Sequence, residues 1–381
     1  MIKGREMKKR VLLVATVQSH ICQFHKALVE VLHEHGCEVH VAARDNLAEK
    51  NGMKLDFVEK VYNVPFSRSP KSLDNLKAYK EMKKIISAGS YDVIHCNTPM
   101  GGIVTRLAAQ KARKRGTEVI YTAHGFHFYK GAPKKNWLVF YPIEKLFSRL
   151  TDKLITITQE DYELAKKKFH CKVYRIHGVG VSEKRYFPAD EQMKSDLRKE
   201  LGYTDDEKLI LCIGELLPNK NQSMAIRMMA ELVKEFPEAK LLLAGNGPEK
   251  ENLEALIAEF GLEEHVDMLG YCTYLEKYQK AVDLGVSCSK REGLPLNVVE
   301  SMLSRTPVVL SNNRGHRELV QDGKTGFLVN VNDDKAMLER IIQLIKDEKL
   351  REQIADNAYV YALDYGFKSV KKELDKIYYP N

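Results

Sequence analysis

Glu292-Gly293-Leu294-Pro295-Leu296-Asn297-Val298-Val299-Glu300 sets two carboxylates on either side of a turn that enters a helix. Proline has no N–H, and a helix's first position leaves that group unpaired anyway, so Pro295 suits the first helical position. Gly285-Val286-Ser287-Cys288-Ser289, just before it, fits the end of a buried strand, which puts the turn at a strand's carboxyl end. Such a helix start offers free backbone N–H groups and roughly half a unit of positive charge, and both favour a phosphate. Glu292, ahead of the helix, is then placed to face a sugar. Glu300, more than a turn inside it, is placed to accept hydrogen bonds from ribose hydroxyls. Gly293, Leu294, Pro295, Leu296 and Asn297 make the donor-binding turn between them. An E-x7-E pair alone is an ordinary pattern of solvated helix-end charges. Its neighbours along the chain single it out.

Displacing a nucleoside diphosphate requires that the charge developing on the departing pyrophosphate be stabilised. The chain has no D-x-D sequence of the kind that holds a divalent ion for this purpose. Lys220, in the loop after the candidate strand Leu209–Gly214, is the leading cation, with N–H donors from the 293–296 turn beside it. His124 ends an apolar run and is followed by Gly125, so its imidazole can project beyond the strand while the backbone turns away. Isolated histidines are more often structural; in His124-Gly125-Phe126-His127 the context favours a site role, with His127 as a second candidate contact.

These residues need elements to hold them. Short apolar runs at Val11–Ala15, Val39–Ala43, Tyr91–Cys96, Val119–Ala123 and Lys153–Ile157 alternate with amphipathic stretches such as Ile21–His35 and Leu73–Ala88. After a charged stretch from Ser182 to Glu207 the alternation resumes, with strands expected at 209–214, 240–244, 266–269, 284–288, 307–311 and 326–329. The reading is α/β, two Rossmann-like domains with parallel, doubly wound sheets: residues 1–187, and residues 188–355. In two facing domains of this kind ligands gather at the carboxyl ends of the strands, and each singled-out residue follows one.

The stretch from Glu292 to Val329, with Gly315-His316-Arg317-Glu318-Leu319-Val320 and Asp322-Gly323-Lys324-Thr325-Gly326-Phe327, resembles retaining glycosyltransferases of family 4. The likeness includes Gly245-Asn246-Gly247-Pro248, Lys220-Asn221 and Thr122-Ala123-His124-Gly125-Phe126-His127-Phe128; the last is similar to bacterial capsule and exopolysaccharide transferases. It implies the GT-B fold, with a helix from about 356 to 381 crossing back onto the first domain. It further implies a donor-binding second domain and an acceptor-binding first domain. In the resemblance Lys220 is the diphosphate lysine and His124 contacts the donor sugar near the reacting carbon, which makes His124 and Glu292 the candidate catalytic residues. No general base is assigned; relatives retain configuration. Two positions depart from the pattern. Glu215 stands where many members carry arginine, and a carboxylate cannot take over phosphate binding, so Arg291 and Arg317 are candidate substitutes. Where relatives carry a Gly-Gly pair this chain has Thr16-Val17-Gln18-Ser19-His20, and Gln18, Ser19, His20 and His127 become candidate acceptor or phosphate contacts.

A chain of 381 residues with 44% hydrophobic content fits two cores. No apolar run nears the roughly 20 residues of a membrane span, nor does the N-terminus read as a signal peptide, so the expected location is cytoplasmic, peripheral on the inner face of the membrane. The seven scattered cysteines form no C-x-x-C pair, so reduced thiols and no structural metal are expected. Residues 1–187 carry 34 Lys+Arg against 18 Asp+Glu, a balance of +16; the remainder carries 26 against 34, or −8. A basic first half favours an anionic partner, and no nucleic-acid motif accompanies it. Lysines and arginines interleave with aromatic residues between His124 and Leu150, around the only tryptophan, Trp137; with Arg113, Lys114 and Arg115 this suits docking on anionic lipid to reach a polyprenyl-diphosphate-linked acceptor.

The reaction expected is metal-independent, retaining transfer from a UDP-sugar, with an N-acetylhexosamine as candidate sugar and no cofactor, to a lipid-linked glycan. Two alternatives stand beside it: an epimerase or hydrolase acting on the same donor, and a non-catalytic partner that keeps the fold. A dinucleotide dehydrogenase is disfavoured because Gly245-Asn246-Gly247-Pro248 lacks the third glycine of G-x-G-x-x-G. Residues near Tyr271–Tyr274 are expected to read the base.

Overall fold

Seven short segments, Arg10–Val17 (β1), Glu38–Arg44 (β2), Lys60–Asn63 (β3), Val93–Asn97 (β4), Glu118–Ala123 (β5), Lys153–Thr156 (β6) and Lys172–Arg175 (β7), pair in parallel in the order β3-β2-β1-β4-β5-β6-β7. The computed structural model describes residues 8–50 and 52–380. Strand β1 is buried from Val11 to Val17, because helices cover both faces of a parallel sheet and leave no side for water.

A second parallel sheet of six strands has the order β10-β9-β8-β11-β12-β13. Its strands are Lys208–Ile213 (β8), Ala239–Ala244 (β9), Val266–Gly270 (β10), Leu284–Ser287 (β11), Val308–Ser311 (β12) and Phe327–Val329 (β13). Each sheet reverses strand order once, between β1 and β4 in the first and between β8 and β11 in the second. The loops leaving those strands form crevices, and ligands of open parallel sheets bind there.

The chain divides into two compact units, one up to Gly180 together with the segment from Phe367 on, the other Val181–Gly366. The border therefore lies at 180/181 and 366/367, not at 187/188 and about 356. Two contacts set it: the Val181 amide donates to the Tyr365 carbonyl at 3.0 Å, and Tyr186 shares an apolar cluster with Val298, Met302, Ala358 and Ala362. The terminal helical stretch is also not continuous. Helix Glu348–Ala362 ends in a 3-10 turn at Leu363–Tyr365, and Phe367–Tyr378 forms a separate helix in the first unit. There Lys371 reaches Glu30 at 3.1 Å and His35 meets Asp375 at 2.6 Å. The amphipathic stretch 21–35 is likewise two helices, Gln18–Phe24 and Lys26–Glu34, interrupted at His25, whose φ of −123° and ψ of 10° leave the helical region.

Strands β3 and β7 are absent from the sequence reading. Each is four residues long, reads Lys-Val-Tyr followed by a polar residue, and forms an outer edge of the seven-stranded sheet. Such segments are too short and too exposed to show a period.

Candidate functional site

The second unit gathers its loops at the carboxyl ends of β8 to β11. A Cβ on Gly245 would lie 2.0 Å from the Gly214 carbonyl oxygen, and one on Gly247 2.3 Å from that of Leu216. The turns after β8 and β9 thus pack backbone against backbone, which is why this loop reads Gly-Asn-Gly. The stem of Lys220 runs over Gly214, where a Cβ would sit 3.4 Å from its Cδ. This holds the lysine Nζ 2.6 Å from Glu292 Oε1. Cation and carboxylate are 24% and 14% exposed, so the pair is reachable from solvent and holds the lysine's charge in one direction.

Beyond Glu292 the turn is held from behind. Gly315 is the second residue of the helix Arg314–Leu319, and a Cβ there would meet the Gly293 carbonyl oxygen at 2.5 Å and Glu292 Cβ at 2.7 Å. Helix Leu296–Leu303 begins one residue later than its proline suggested: Pro295 is the N-cap, and no side chain caps the free N–H groups. Asn297, also expected at the donor-binding turn, is anchored through its side chain. Its Nδ2 donates to the Ile213 carbonyl at 3.1 Å and ties the helix start to β8. Leu294 and Leu296 pack against the apolar cluster behind the turn.

Glu300 stands apart from the Lys220–Glu292 pair. Burial pushes its carboxyl up to about 7, opposed by a hydrogen bond from Tyr186 and the charge of Arg185. Arg185 donates to the Thr273 carbonyl at 2.8 Å and pairs with Glu276 at 2.6 Å. It thereby links Glu300 to the loop carrying Tyr271 and Tyr274, which are 57% and 46% exposed. Arg185 and Tyr186 lie in no motif, and sequence reading passed over them. It also gave no role to His316, which is fully buried. His316 donates from Nδ1 to the Ser311 carbonyl at 2.6 Å, its Nε2 has no hydrogen-bond partner, and burial pushes it down to about 4. The two candidate substitutes for a second cation are engaged elsewhere or open: Arg317 donates to Asn312 Oδ1 at 2.8 Å, and Arg291 is exposed. Glu215 is exposed as well.

In the first unit His124 follows β5, and Gly125 takes φ +119°, the turn that lets the imidazole leave the sheet. Its Nε2 lies 3.2 Å from His20 Nε2 and 3.3 Å from Asn97 Oδ1. Burial pushes His124 down to about 4. His95, also unassigned from sequence, is fixed on both sides, by Tyr378 at Nδ1 and by Thr122 Oγ1 at 2.7 Å from Nε2. Beside the histidines opens a cavity of about 660 Å³ whose walls include Ser19, His20, Arg68, His127, Phe140 and Ile143. His127 stacks on Phe140 at 4.6 Å. Gln18 is buried and does not line this cavity, and Ser19 is bonded to Asn46, Nδ2 to Oγ, at 2.9 Å.

Helix Lys134–Phe147 lines the cavity with Val139, Phe140 and Ile143 and turns Leu138 and Leu146 outward. Trp137 instead faces inward, donating to the Tyr129 carbonyl at 3.2 Å. Arg113 is paired with Asp152 at 2.8 Å, which leaves Lys114 and Arg115 as the exposed cations of that cluster. A buried Arg106–Glu144 pair at 3.2 Å, with Arg106 lying over the Tyr121 ring, anchors the helix to the core. Among the described residues no helix is long and apolar enough to cross a membrane.

Residues 193–361 match the family of group 1 glycosyl transferases, and residues 10–158 the glycosyl transferase 4-like family. EpsD of Bacillus subtilis (strain 168), which carries the name of a glycosyltransferase, is 39% identical over 98% of this chain and 97% of its own. The UDP-Gal:alpha-D-GlcNAc-diphosphoundecaprenol alpha-1,3-galactosyltransferase of Escherichia coli is 25% identical over 87% of this chain and 86% of its own. Among solved structures, Anabaena HepE in complex with UDP and glucose superposes with a TM-score of 0.76 at 21% identity, over 97% of this chain and 99% of that one.

Proposed function

Proceeding from a chain that belongs to the group 1 glycosyl transferases and has the GT-B fold, we propose that it moves an N-acetylhexosamine from a UDP-sugar onto a polyprenyl-diphosphate-linked glycan in capsule or exopolysaccharide synthesis. Configuration is retained and no metal ion serves the diphosphate. The observation that carries this reading is the oriented Lys220–Glu292 pair at the strand-order reversal of the second sheet, beside a helix start that no side chain caps. An arriving diphosphate takes over Lys220 and the free N–H groups. Glu292, released from the lysine, turns to the sugar hydroxyls. Glu300 accepts from the ribose, and the exposed Tyr271–Tyr274 loop lies toward the base.

In the reaction the bond from the acceptor oxygen to the anomeric carbon forms as the bond to the β-phosphate oxygen breaks. The acceptor's proton passes to that departing phosphate, so no side-chain base is required. Lys220 and the helix start stabilise the charge left on the diphosphate. His124 contacts the sugar near the reacting carbon. The first unit binds the acceptor in its apolar-walled cavity, next to a helix whose outward apolar residues meet the inner face of an anionic membrane. Two comparisons support donor and acceptor: the E. coli relative is named for UDP-Gal and a diphosphoundecaprenol-linked sugar, and HepE is solved with UDP.

Calorimetry with UDP, GDP and ADP in the presence of a chelator tests the reading. UDP alone should bind the parent, and Glu300→Ala should abolish that binding. A parent protein that binds no nucleotide, or binds UDP only when metal is restored, defeats it.

A further inference from the structure

His20, His25 and His124 come from two distant stretches of the first unit and meet at one point. Each can offer a ring nitrogen within 4.8 Å of those of the other two, and His20 Nε2 is 3.2 Å from His124 Nε2. Their ring centroids are 4.6, 5.4 and 5.7 Å apart, with planes inclined at 85°, 54° and 88°. Imidazoles bound to one tetrahedral zinc at about 2.0–2.1 Å hold their nitrogens roughly 3.3 Å apart, with the rings splayed outward. One pair, His20 and His124, already stands at that spacing, and the third nitrogen, of His25, lies within 4.8 Å of both, so binding an ion draws His25 inward.

His25 supplies an independent observation. It is 3% exposed, and its Nε2 is buried without a hydrogen-bond partner. A buried polar atom left unpaired costs about 1–3 kcal/mol and calls for an explanation, of which a bound ion is one. His95 does not share this property although its ring lies 6.1 Å from that of His25, because both of its nitrogens are engaged.

We propose that His20, His25 and His124 form a binding site for a divalent transition-metal ion of the zinc class, with a fourth position open to the cavity that His20 lines. Imidazole ligands select zinc, copper, iron or nickel over magnesium and calcium. Asn97 Oδ1, 3.3 Å from His124 Nε2, adds a partial negative charge, and Arg68 on the cavity wall opposes the ion. Its three ligands all belong to the first unit, whereas the residues assigned to the diphosphate belong to the second. The ion engages a ring nitrogen of His124 and fixes the imidazole, so a filled site competes with a sugar-facing His124. That consequence alone rests on the transferase reading.

The test uses untagged full-length protein, stripped with chelator and titrated with Co²⁺ as the spectroscopic stand-in for Zn²⁺. One equivalent should bind with tetrahedral visible absorption and no thiolate-to-cobalt band, and Zn²⁺ but not Mg²⁺ should displace it. His20→Asn and His25→Gln should each weaken binding by more than the roughly 10- to 100-fold that outer partners cost, while His33→Asn should not change it. Should His25→Gln not fold by circular dichroism, His20→Asn carries the result, because His20 is partly exposed. No cobalt bound by the parent, a thiolate band, or affinity unchanged in the folded variants overturns the proposal. None of these readouts needs nucleotide, so failure of the transferase reading leaves them intact.

Discussion

Glu300 has a carboxyl that burial pushes up to about 7, so around neutrality the free protein holds it half protonated. Only the ionised form accepts two hydrogen bonds from a ribose. Affinity for the donor should therefore fall as pH drops below about 7, by up to about tenfold per pH unit. Glu300→Gln should bind weakly at every pH and lose that slope. The measurement calls for an intact UDP-sugar, whose diphosphate diester does not titrate in this range, unlike UDP. His124 and His316, pushed down to about 4 by burial, stay neutral throughout. The positions of Lys220, Glu292 and Glu300 were legible because each sits at a fixed offset from a strand end or a helix start. Tyr186 and Arg185 were not, since their importance comes from partners far along the chain. Likewise His20 and His124, 104 residues apart, show no metal-ligand spacing, and a short-range rule cannot see them.

At the scale of elements, eleven strands were readable as apolar runs, and the two edge strands were not, for want of length and burial. The break at His25 escaped notice because the amphipathic pattern continues across it. Glycines record contacts that no periodicity shows. Gly315 is where one helix passes behind the Glu292–Gly293 turn, and Gly315→Ala pushes a methyl group against the Gly293 carbonyl and Glu292 Cβ. The variant should lose about 1–3 kcal/mol of stability, the cost of overpacking a well-filled site. Its UDP affinity should drop together with the displaced turn. Chemical denaturation and calorimetry on the same sample check both. A variant as stable and as tight as the parent would mean that this approach does not position the site.

For the whole molecule, the basic excess of residues 1–187 lies on the unit that carries the helix with exposed Leu138 and Leu146. Vesicles containing anionic lipid should bind the protein at low salt and release it as salt shortens the Debye length. Leu138, 78% exposed, contributes nothing to the core. Leu138→Glu should leave the melting temperature unchanged and weaken vesicle binding about tenfold or more, since burying one leucine is worth about 1.5–3 kcal/mol. Vesicles that fail to bind the parent at low salt remove the docking role of this helix. The composition of the chain foretold the charge division, whereas the turning of Trp137 inward and of Leu138 and Leu146 outward needed the helix's packing.

Helix Phe367–Tyr378 belongs to the unit that begins the chain, where Tyr378 closes one side of buried His95 and Asp375 meets His35. Ribosomes make these residues only after all of Val181–Gly366. The nascent first unit must wait, its histidine-lined end uncovered, while the second is synthesised, so the part of the protein begun first is the part finished last.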